Sequence, residues 1–354
     1  MRSLQSFIPG IAIGAERALV VALLVAAGAV LAPGQQKSGR SAGDVAGMQM
    51  NKARNVRLTA ANDESQHVLT FRLGPLRLPA DAGMNVAQAP DLYWTVPFDG
   101  WFTAYHPRLE DASGNTLPPR LLHHVAIYDT DHQNLLCSQE PEHIFGAGGE
   151  MADWPGIPGL GYRVRKGDRI KVSTMFHNDE AASFPETYLE VKINYQPLDS
   201  SEAPLLGVRP VWFDVKECGS SAYDLKPGRN VTTGKFTLGS SGRLVGVGGH
   251  LHDYGRELIL EDDTTRRKIA DLKARLDAEG RLISVPIVRF TENGGFALAK
   301  GDSISVTAFY DNPTGRFLPQ SAMGIIVGYF LPYGDGDYGR TPVRKLTKPA
   351  APND

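Results

Sequence analysis

Residues 243–255 read Arg243-Leu244-Val245-Gly246-Val247-Gly248-Gly249-His250-Leu251-His252-Asp253-Tyr254-Gly255. The first five predict a β-strand, and because successive strand side chains alternate faces, His250 and His252 should point the same way, roughly 6–7 Å apart. Two imidazoles on one face can converge on a single metal ion. The flanking glycines leave room for a ligand beside the backbone. Two surface histidines near a turn are the alternative explanation of this stretch taken alone.

The chain on both sides of this stretch is a series of short β-type runs separated by Pro, Gly, Asn and Asp. The 38 glycines and 24 prolines suit many strands joined by turns. No long segment has helical periodicity, apart from one or two helical turns that residues 268–278 could form. The pattern predicts an all-β fold, either sandwich or barrel. The runs are 68–73, 93–96, 100–105, 125–128, 169–176, 188–193, 211–215, 231–236, 243–247, 257–260, 284–288, 303–310 and 323–330.

The length of 354 residues suggests two domains, and the polar segment 196–204, which contains two prolines, is the best linker between them. The polar residues before the first run and after the last one are expected to be mobile. The predicted divisions are an N-terminal signal or anchor at 1–35, a mobile leader at 36–57, a first β domain at 58–198, a linker at 199–207, a second β domain at 208–333 and a flexible tail at 334–354.

The N-terminal segment differs from the rest of the chain. Arg2 and Arg17 precede residues 18–32, an apolar run of 15 residues. A membrane-spanning helix needs about 20 such residues and the core of a signal peptide about 7–15, so the run predicts a secretory signal. Ala27-Gly28-Ala29 is a suitable small-x-small cleavage site, and an uncleaved membrane anchor is the alternative. In either case the body of the protein is expected to be secreted, periplasmic or anchored outside the cytoplasmic membrane.

Charge and cysteine content narrow the partners and the compartment. The formal net charge is −2, from 37 basic and 39 acidic residues, and no basic run stands out, so nucleic acid is not expected as a partner. The chain has two cysteines, Cys137 and Cys218. In an exported protein such a pair is expected to form a disulfide, which would staple the two domains together. Two free thiols are the alternative.

The other histidines supply two further features. His123-His124 is an adjacent pair at the start of a strand, and His177 ends the strand at 169–176. Adjacent strand residues face opposite sides, so His123 and His124 could share a metal only if the strand is bulged or twisted there. The remaining histidines lack partners at ligand spacing and are expected to be structural or on the surface: His67, His106, His132 and His143.

The order of these motifs resembles a known family. His177 follows His124 by 53 residues, His250 follows His177 by 73, and Met323, which opens a hydrophobic strand, follows His252 by 71. This layout is similar to that of the copper type II, ascorbate-dependent monooxygenases, the family of peptidylglycine α-hydroxylating monooxygenase and dopamine β-monooxygenase. The resemblance covers roughly residues 65–333.

The resemblance implies two tandem eight-stranded jelly-roll domains, each holding one copper ion. By matched positions, an electron-transfer copper would be held by His123, His124 and His177, and an oxygen-binding, catalytic copper by His250, His252 and Met323. The family uses O₂ and ascorbate, or another one-electron donor, to hydroxylate a C–H bond, and a solvent-filled gap separates its two metals. A thioether among imidazoles also favours Cu(I) on its own chemistry. A buried core residue is the alternative role for Met323, and Asp253 and Tyr254 are either supports for the ligands or plain turn residues.

Three positions depart from the branch of the family that hydroxylates peptides. Gly248 stands where that branch has an arginine for the substrate carboxylate, and Ile325 and Val327 stand where it has Asn and Tyr. A peptide C-terminus is therefore not expected as substrate, and Ile325 and Val327 would help to line a pocket for a small or apolar molecule. Two alternatives stay open: a non-catalytic copper-binding protein for storage, delivery or assembly, and a β-sandwich binding module without metal.

Overall fold

The structure, a computed structural model, describes residues 50–52, 55–81, 86–150, 153–202, 205–290 and 294–333. They belong to one compact unit, Val45–Asp354. The predicted signal or anchor at 1–35 and the predicted tail at 334–354 lie outside the described residues, and the predicted leader at 36–57 contains one described strand, Met50–Lys52. No helix within the described ranges has the length and apolar character needed to cross a membrane.

The described part of the chain is built from β-strands, which confirms the predicted all-β class. The first eleven are β1 Met50–Lys52, β2 Arg57–Asp63, β3 Val68–Leu78, β4 Val86–Gln88, β5 Leu92–Thr95, β6 Gly100–Glu110, β7 Leu122–Gln133, β8 Pro141–Gly148, β9 Leu160–Val164, β10 Arg169–Phe176 and β11 Phe184–Pro197. A single 3₁₀ turn, Pro119–Leu121, precedes β7. A short strand, β12 Leu206–Gly207, then pairs in parallel with β9.

The second half of the chain adds thirteen strands. They are β13 Arg209–Asp214, β14 Tyr223–Leu225, β15 Gly228–Thr237, β16 Gly242–Leu251, β17 Gly255–Asp262, β18 Arg267–Lys273, β19 Arg275–Leu276, β20 Leu282–Ser284, β21 Ile287–Arg289, β22 Phe296–Leu298, β23 Ser303–Asn312, β24 Leu318–Ala322 and β25 Gly324–Pro332. The helical turns predicted at 268–278 are wrong, because β18 and β19 occupy that segment. In β18 the apolar Ile269 and Leu272 are buried while the charged residues between and around them face solvent, so burial decides for a strand.

Strand order shows that each half is a jelly roll. In the first half the sheet β3-β11-β6-β9 faces the sheet β5-β10-β7-β8, and in the second half β13-β25-β16-β22 faces β15-β23-β17-β18. Counting the eight main strands of each half from 1 to 8, both halves have the orders 1-8-3-6 and 2-7-4-5. This arrangement, with first and last strands adjacent, is the double-sheet jelly roll. The tandem jelly-roll prediction is confirmed, and the halves are called the first and second sandwich below.

Each sandwich encloses its own apolar core between its two sheets. In the first, Phe71 and Ile193 of one sheet join Ile127 and Val172 of the other in one buried cluster. In the second, buried residues from both sheets again form one cluster, with Val247 and Ile326 from one sheet and Leu258 and Val306 from the other. The alternation of apolar and polar residues along the strands places these side chains inward.

Strand β8 is the part of the first sandwich that lies against the second. Its residues 142–144 each accept a hydrogen bond from the second sandwich. Arg209 Nε donates to the Glu142 carboxylate at 2.5 Å. Trp212 Nε1 donates to the carbonyl of residue 143 at 3.1 Å, and Tyr329 Oη donates to the carbonyl of residue 144 at 2.9 Å. Three consecutive residues are thus tied to β13 and β25. The register between the two sandwiches is therefore fixed along this strand.

A disulfide also joins the two sandwiches. Cys137 follows β7 and Cys218 follows β13, and their sulfur atoms are bonded across a sequence separation of 81 residues. The predicted disulfide is confirmed, and it staples the two sandwiches together as expected.

Candidate metal centre

A β-bulge in β7 brings His123 and His124 to one side of the sheet. On the neighbouring strand, Met175 pairs with His124 and Phe176 pairs with Leu122, so His123 is an extra residue in the ladder. A bulge of this kind re-aims a side chain that would otherwise face the opposite side. The two ring centroids are 4.1 Å apart. His123 and His124 could share a metal only if the strand is bulged or twisted there, and the bulge is present.

The end of β16 presents His250 and His252. His250 is the second-last residue of the strand and pairs with Ile325 on β25. His252 follows the strand directly, and Tyr254, at φ 69°, turns the chain into β17. The two rings lie 5.3 Å apart between centroids.

The imidazole rings of all five predicted histidine ligands form one continuous cluster between the sandwiches. Ring centroids are separated by 5.1 Å for His123 and His177, 4.9 Å for His123 and His252, 5.0 Å for His124 and His250, and 5.2 Å for His124 and His252. The resemblance implies a solvent-filled gap between two ligand sets. The structure instead brings the two sets into contact at His124 and His252.

The spacing of ring nitrogens in this cluster suits a metal ion. Nε2 of His124 and Nε2 of His252 are 3.0 Å apart, and ligand nitrogens of His123, His124 and His252 all lie within 4.8 Å of one another. Imidazole–zinc bonds of about 2.0–2.1 Å span nitrogen separations up to ~4 Å, so the His124–His252 pair already stands at ligand spacing. Nδ1 of His252 lies 3.1 Å from the Ser321 carbonyl oxygen. A proton on Nδ1 donates to that carbonyl, which leaves the lone pair on Nε2.

Several polar atoms in the cluster are buried without a hydrogen-bond partner among the described residues. They are Nε2 of His123, Nε2 of His250 and Oε2 of Glu150. A buried polar atom without a partner costs roughly 1–3 kcal/mol, and three in one place call for a common explanation. A metal ion bonded to the imidazole nitrogens would satisfy the two ring atoms and bring a positive charge near the carboxylate, so the residues present fit a bound metal.

The surroundings keep the central imidazoles neutral, which is the form that binds metals. Burial lowers the pKa of His123 to about 3, with further lowering from His177 and His250. Burial, followed by the neighbouring histidines, also lowers the pKa of His124 and of His252 well below the ordinary range. The lone pairs of these three rings are therefore available at neutral pH.

Glu150 reaches the cluster from the first sandwich and was not predicted from the sequence. Its Oε1 lies 3.0 Å from Nδ1 of His250 and accepts a hydrogen bond from the Gly148 backbone at 2.9 Å. The Glu150 side chain is 3% exposed. Burial acts to raise its pKa, but His250 and the backbone hydrogen bonds outweigh burial and hold the pKa below the ordinary value. The only sequence signal is a carboxylate after two glycines, which is common in turns.

Met323 lies between β24 and β25, and its backbone is tied to that of His252 by one hydroxyl group. Oη of Tyr310, on β23, accepts hydrogen bonds from the backbone N–H of His252 at 2.9 Å and of Met323 at 3.3 Å. The same hydroxyl donates to the Met323 carbonyl. Tyr310 is buried, and it too was not predicted, because 58 residues separate it from His252.

A cavity of about 270 Å³ adjoins the cluster between the two sandwiches. His124, Glu150, His250 and Met323 are among its lining residues, and so are other polar side chains such as Asp214 and Glu217. Apolar and aromatic side chains form most of the remaining wall, including Ile144, Phe145, Trp154, Trp212, Ile287, Ile325, Val327 and Tyr329. No Lys or Arg of the described part of the chain is among its lining residues.

The turn residues Asp253 and Tyr254 hold the loop and the interface. Asp253 accepts a hydrogen bond from the Leu282 backbone at 2.8 Å, and its other oxygen lies 3.8 Å from Arg120 of the first sandwich. The Tyr254 backbone donates to the Gly280 carbonyl at 2.8 Å. Their recorded contacts fit turn and interface roles better than support of the histidine rings.

The remaining histidines lie outside the cluster. His143 is stacked between Tyr128 and Trp212, at ring distances of 4.2 and 4.4 Å, and lines the cavity. His132 forms an ion pair with Asp129 at 2.7 Å, and Asp168 lies close to both. The hydroxyl of Tyr162 bonds Asp129 at 3.1 Å, so this group belongs to a buried polar network.

Comparison with known proteins does not assign the chain to a family. No protein-family model matches it, and no curated protein matches it. Among solved structures it is similar to a chain from the atomic structure of Sulfolobus turreted icosahedral virus, at 10% identity and a TM-score of 0.19. The match covers 75% of this chain and 59% of that chain. A likeness at that TM-score carries no argument about function.

Proposed function

We propose that the protein is a copper-dependent monooxygenase that hydroxylates a C–H bond of a small or apolar substrate, using O₂ and a one-electron donor such as ascorbate. One observation carries the proposal. Five imidazoles from two jelly rolls converge with unpartnered nitrogens buried among them, and His124, His250 and Met323 line an adjoining, mostly apolar cavity.

The donor set favours copper over other common metals. Imidazole nitrogens with a thioether suit Cu(I), whereas zinc takes imidazole, thiolate and carboxylate ligands and not a thioether. His123, His124 and His177 would hold one ion and His250, His252 and Met323 the second, two ions per chain. Bound copper supplies the one-electron chemistry that O₂ reduction and C–H hydroxylation require. The chain's own part is to hold the lone pairs in place, as the Ser321 carbonyl does for His252.

The cavity indicates the class of substrate. Ile325 and Val327, expected from the sequence to line a pocket, do line it, together with Trp154 and Trp212. Since the described residues of its lining include carboxylates such as Glu150 but no Lys or Arg, an anionic substrate would find no basic side chain there. We therefore propose an uncharged or weakly polar molecule that fits about 270 Å³.

The proposal places the protein outside the cytoplasmic membrane, either secreted, periplasmic or attached by its N-terminal segment. Support comes from the apolar run at 18–32 and from the disulfide, which persists in oxidising compartments. A mature N-terminus near residue 30, found by sequencing the purified native protein, would distinguish cleavage from anchoring.

A non-catalytic copper protein on the same fold is the second candidate. The contact between His124 and His252 favours it, because ligands this close leave little room for a small molecule between them. Consumption of O₂ that depends on reductant separates the two candidates. A copper-loaded protein that consumes no O₂ with ascorbate and a panel of small apolar substrates would favour storage, delivery or assembly.

Copper content of the purified full chain tests the proposal most directly. We expect two coppers per chain, about one in His250→Ala, and weakened Cu(I) binding in Met323→Ala. His67→Ala is the matched control and should keep the parent content. One copper in the parent would exclude a paired-copper mechanism, and none would leave the metal-free binding module.

A further inference from the structure

Glu150 and His250 form a buried pair across the two sandwiches. Glu150 is the second residue after the end of β8, whereas His250 belongs to β16, and their side chains are 3% and 12% exposed. Oε1 of Glu150 lies 3.0 Å from Nδ1 of His250, so a proton on Nδ1 donates to the carboxylate. The other ring nitrogen, Nε2, is then the atom with the free lone pair, and it is buried without a partner among the described residues.

The absence of a side chain at Gly148 makes this approach feasible. A Cβ atom there would lie 2.7 Å from Oε2 of Glu150 and 2.7 Å from Cε1 of His250. The Gly148 backbone N–H also donates to Oε1. The end of β8 is therefore shaped to seat a carboxylate against the imidazole of the opposite sandwich.

Two other buried carboxylates, Glu142 and Asp262, have partners for both oxygens, and Glu150 does not. Glu142 is bonded by Arg209 on one oxygen and by Tyr162 at 2.9 Å on the other. Asp262 is bonded through both oxygens by Thr265. Oε2 of Glu150 has no partner among the described residues. A buried carboxylate whose partners are a neutral imidazole and a backbone N–H is costly unless a positive charge lies close by.

We infer that Glu150 is a positioning residue for the metal centre: it directs Nε2 of His250 into the histidine cluster and balances the charge of the ion bound there. The inference rests on the proposed function. A carboxylate that accepts from the distal N–H of a ligating histidine fixes the tautomer and raises the basicity of the ligand. Because Glu150 belongs to the first sandwich, the metal site that contains His250 would depend on residues of both sandwiches.

Two substitutions separate orientation from charge. Glu150→Gln keeps an oxygen that accepts from His250 but removes the negative charge. Because an anion stabilises Cu(II) more than Cu(I), we expect the ratio of Cu(II) to Cu(I) affinity to fall about tenfold, which raises the potential of a one-electron couple by ~59 mV. Glu150→Ala removes the acceptor too, and copper binding should weaken 10- to 100-fold.

The readouts are Cu(I) and Cu(II) affinities, the reduction potential and the Cu(II) electron paramagnetic resonance spectrum of the full chain loaded with copper. Glu140→Gln is the matched control, since Glu140 also bonds across the interface, to the Gly219 backbone at 2.7 Å. It should leave the spectrum and the potential at parent values, and His250→Ala should remove the signal that Glu150→Gln alters.

The outcomes distinguish this inference from the function on which it rests. A parent protein without copper overturns the proposed function. A parent protein with copper, whose spectrum, affinities and potential are unchanged in both Glu150 variants but altered in His250→Ala, overturns the role of Glu150 alone. If Glu150→Ala fails to fold, Glu150→Gln still decides, because it preserves the hydrogen bond.

Discussion

The hydroxyl group of Tyr310 bonds the backbone of two proposed ligands, His252 and Met323. It accepts from the N–H groups of His252 and Met323 and donates to the Met323 carbonyl. Tyr310→Phe keeps the ring but leaves these buried groups without a partner. We expect a loss of about 1–3 kcal/mol in the free energy of unfolding, measured with urea, and weaker Cu(I) binding.

Tyr223→Phe is the control for that change. Its ring packs edge to face on that of Tyr310 at 6.1 Å, but it is the Tyr310 hydroxyl, and not that of Tyr223, that bonds the backbone of His252 and Met323. It should cost little stability and leave copper binding unchanged. Equal losses in the two variants would show that ring packing, and not the hydroxyl, supports the site.

At the level of single residues, the sequence predicts six candidate ligands, of which the five histidines lie in one cluster, but it does not predict the residues that contact them. The six proposed ligands have distinctive types, and their order in the chain is visible. Glu150 and Tyr310 are ordinary residues whose importance comes from contacts with residues far away in sequence, such as the 100 residues between Glu150 and His250. No local pattern records such a contact.

Among the elements, strand β8 is the one whose end must stay free of side chains. Gly148→Ala would place its Cβ 2.7 Å from both Glu150 and His250, closer than real Cβ atoms approach. Overpacking of this kind costs typically 1–3 kcal/mol. We expect lower stability and displaced His250, seen as a changed Cu(II) spectrum.

The neighbouring glycine is the control for β8. At Gly149 the nearest atom to a Cβ is the Leu122 carbonyl oxygen at 3.4 Å, an ordinary contact. Gly149→Ala should therefore resemble the parent in both the unfolding curve and the copper spectrum. A normal spectrum in Gly148→Ala would mean that His250 does not need its present position.

Most strands could be predicted because alternation and turn residues mark them. The run at 169–176 coincides with β10. The helical turns predicted at 268–278 were wrong because the charged residues there recur at a spacing that a helix also allows. The segment forms a strand because Ile269 and Leu272 pack on the core of the second sandwich. The bulge at His123 follows from pairing with β10, which the sequence of β7 alone does not contain.

For the whole molecule, the disulfide between Cys137 and Cys218 constrains the unfolded chain over 81 residues. The chain-entropy relation gives about 4.5 kcal/mol for a loop of that size. We expect the Cys137→Ser, Cys218→Ser double variant to lose ~2–5 kcal/mol of unfolding free energy, measured by urea denaturation. Since the bridge joins the sandwiches, its loss should also weaken copper binding.

A double variant that unfolds at the parent urea concentration would show that the contacts of β8 alone hold the sandwiches together. Reduction of the parent protein under the same conditions should reproduce the loss. The sequence predicts the bridge but not the closeness of the two ligand sets. That closeness depends on how one sandwich packs on the other, through pairs such as Trp212 and residue 143. No single segment of the sequence shows such pairs.

On the proposed function, the contact between His124 and His252 would link the lifetime of the protein to its metal supply. Ligands that are held in place by contacts across the interface bind an ion better in the assembled form than in the separated one, so occupancy at 100 times the dissociation constant adds up to ~2.7 kcal/mol to assembly by mass action. Thermal midpoints should then rise with copper, and proteases should cut the metal-starved protein faster at the segment around residue 200. The supply of copper would then decide how long each molecule survives proteolysis.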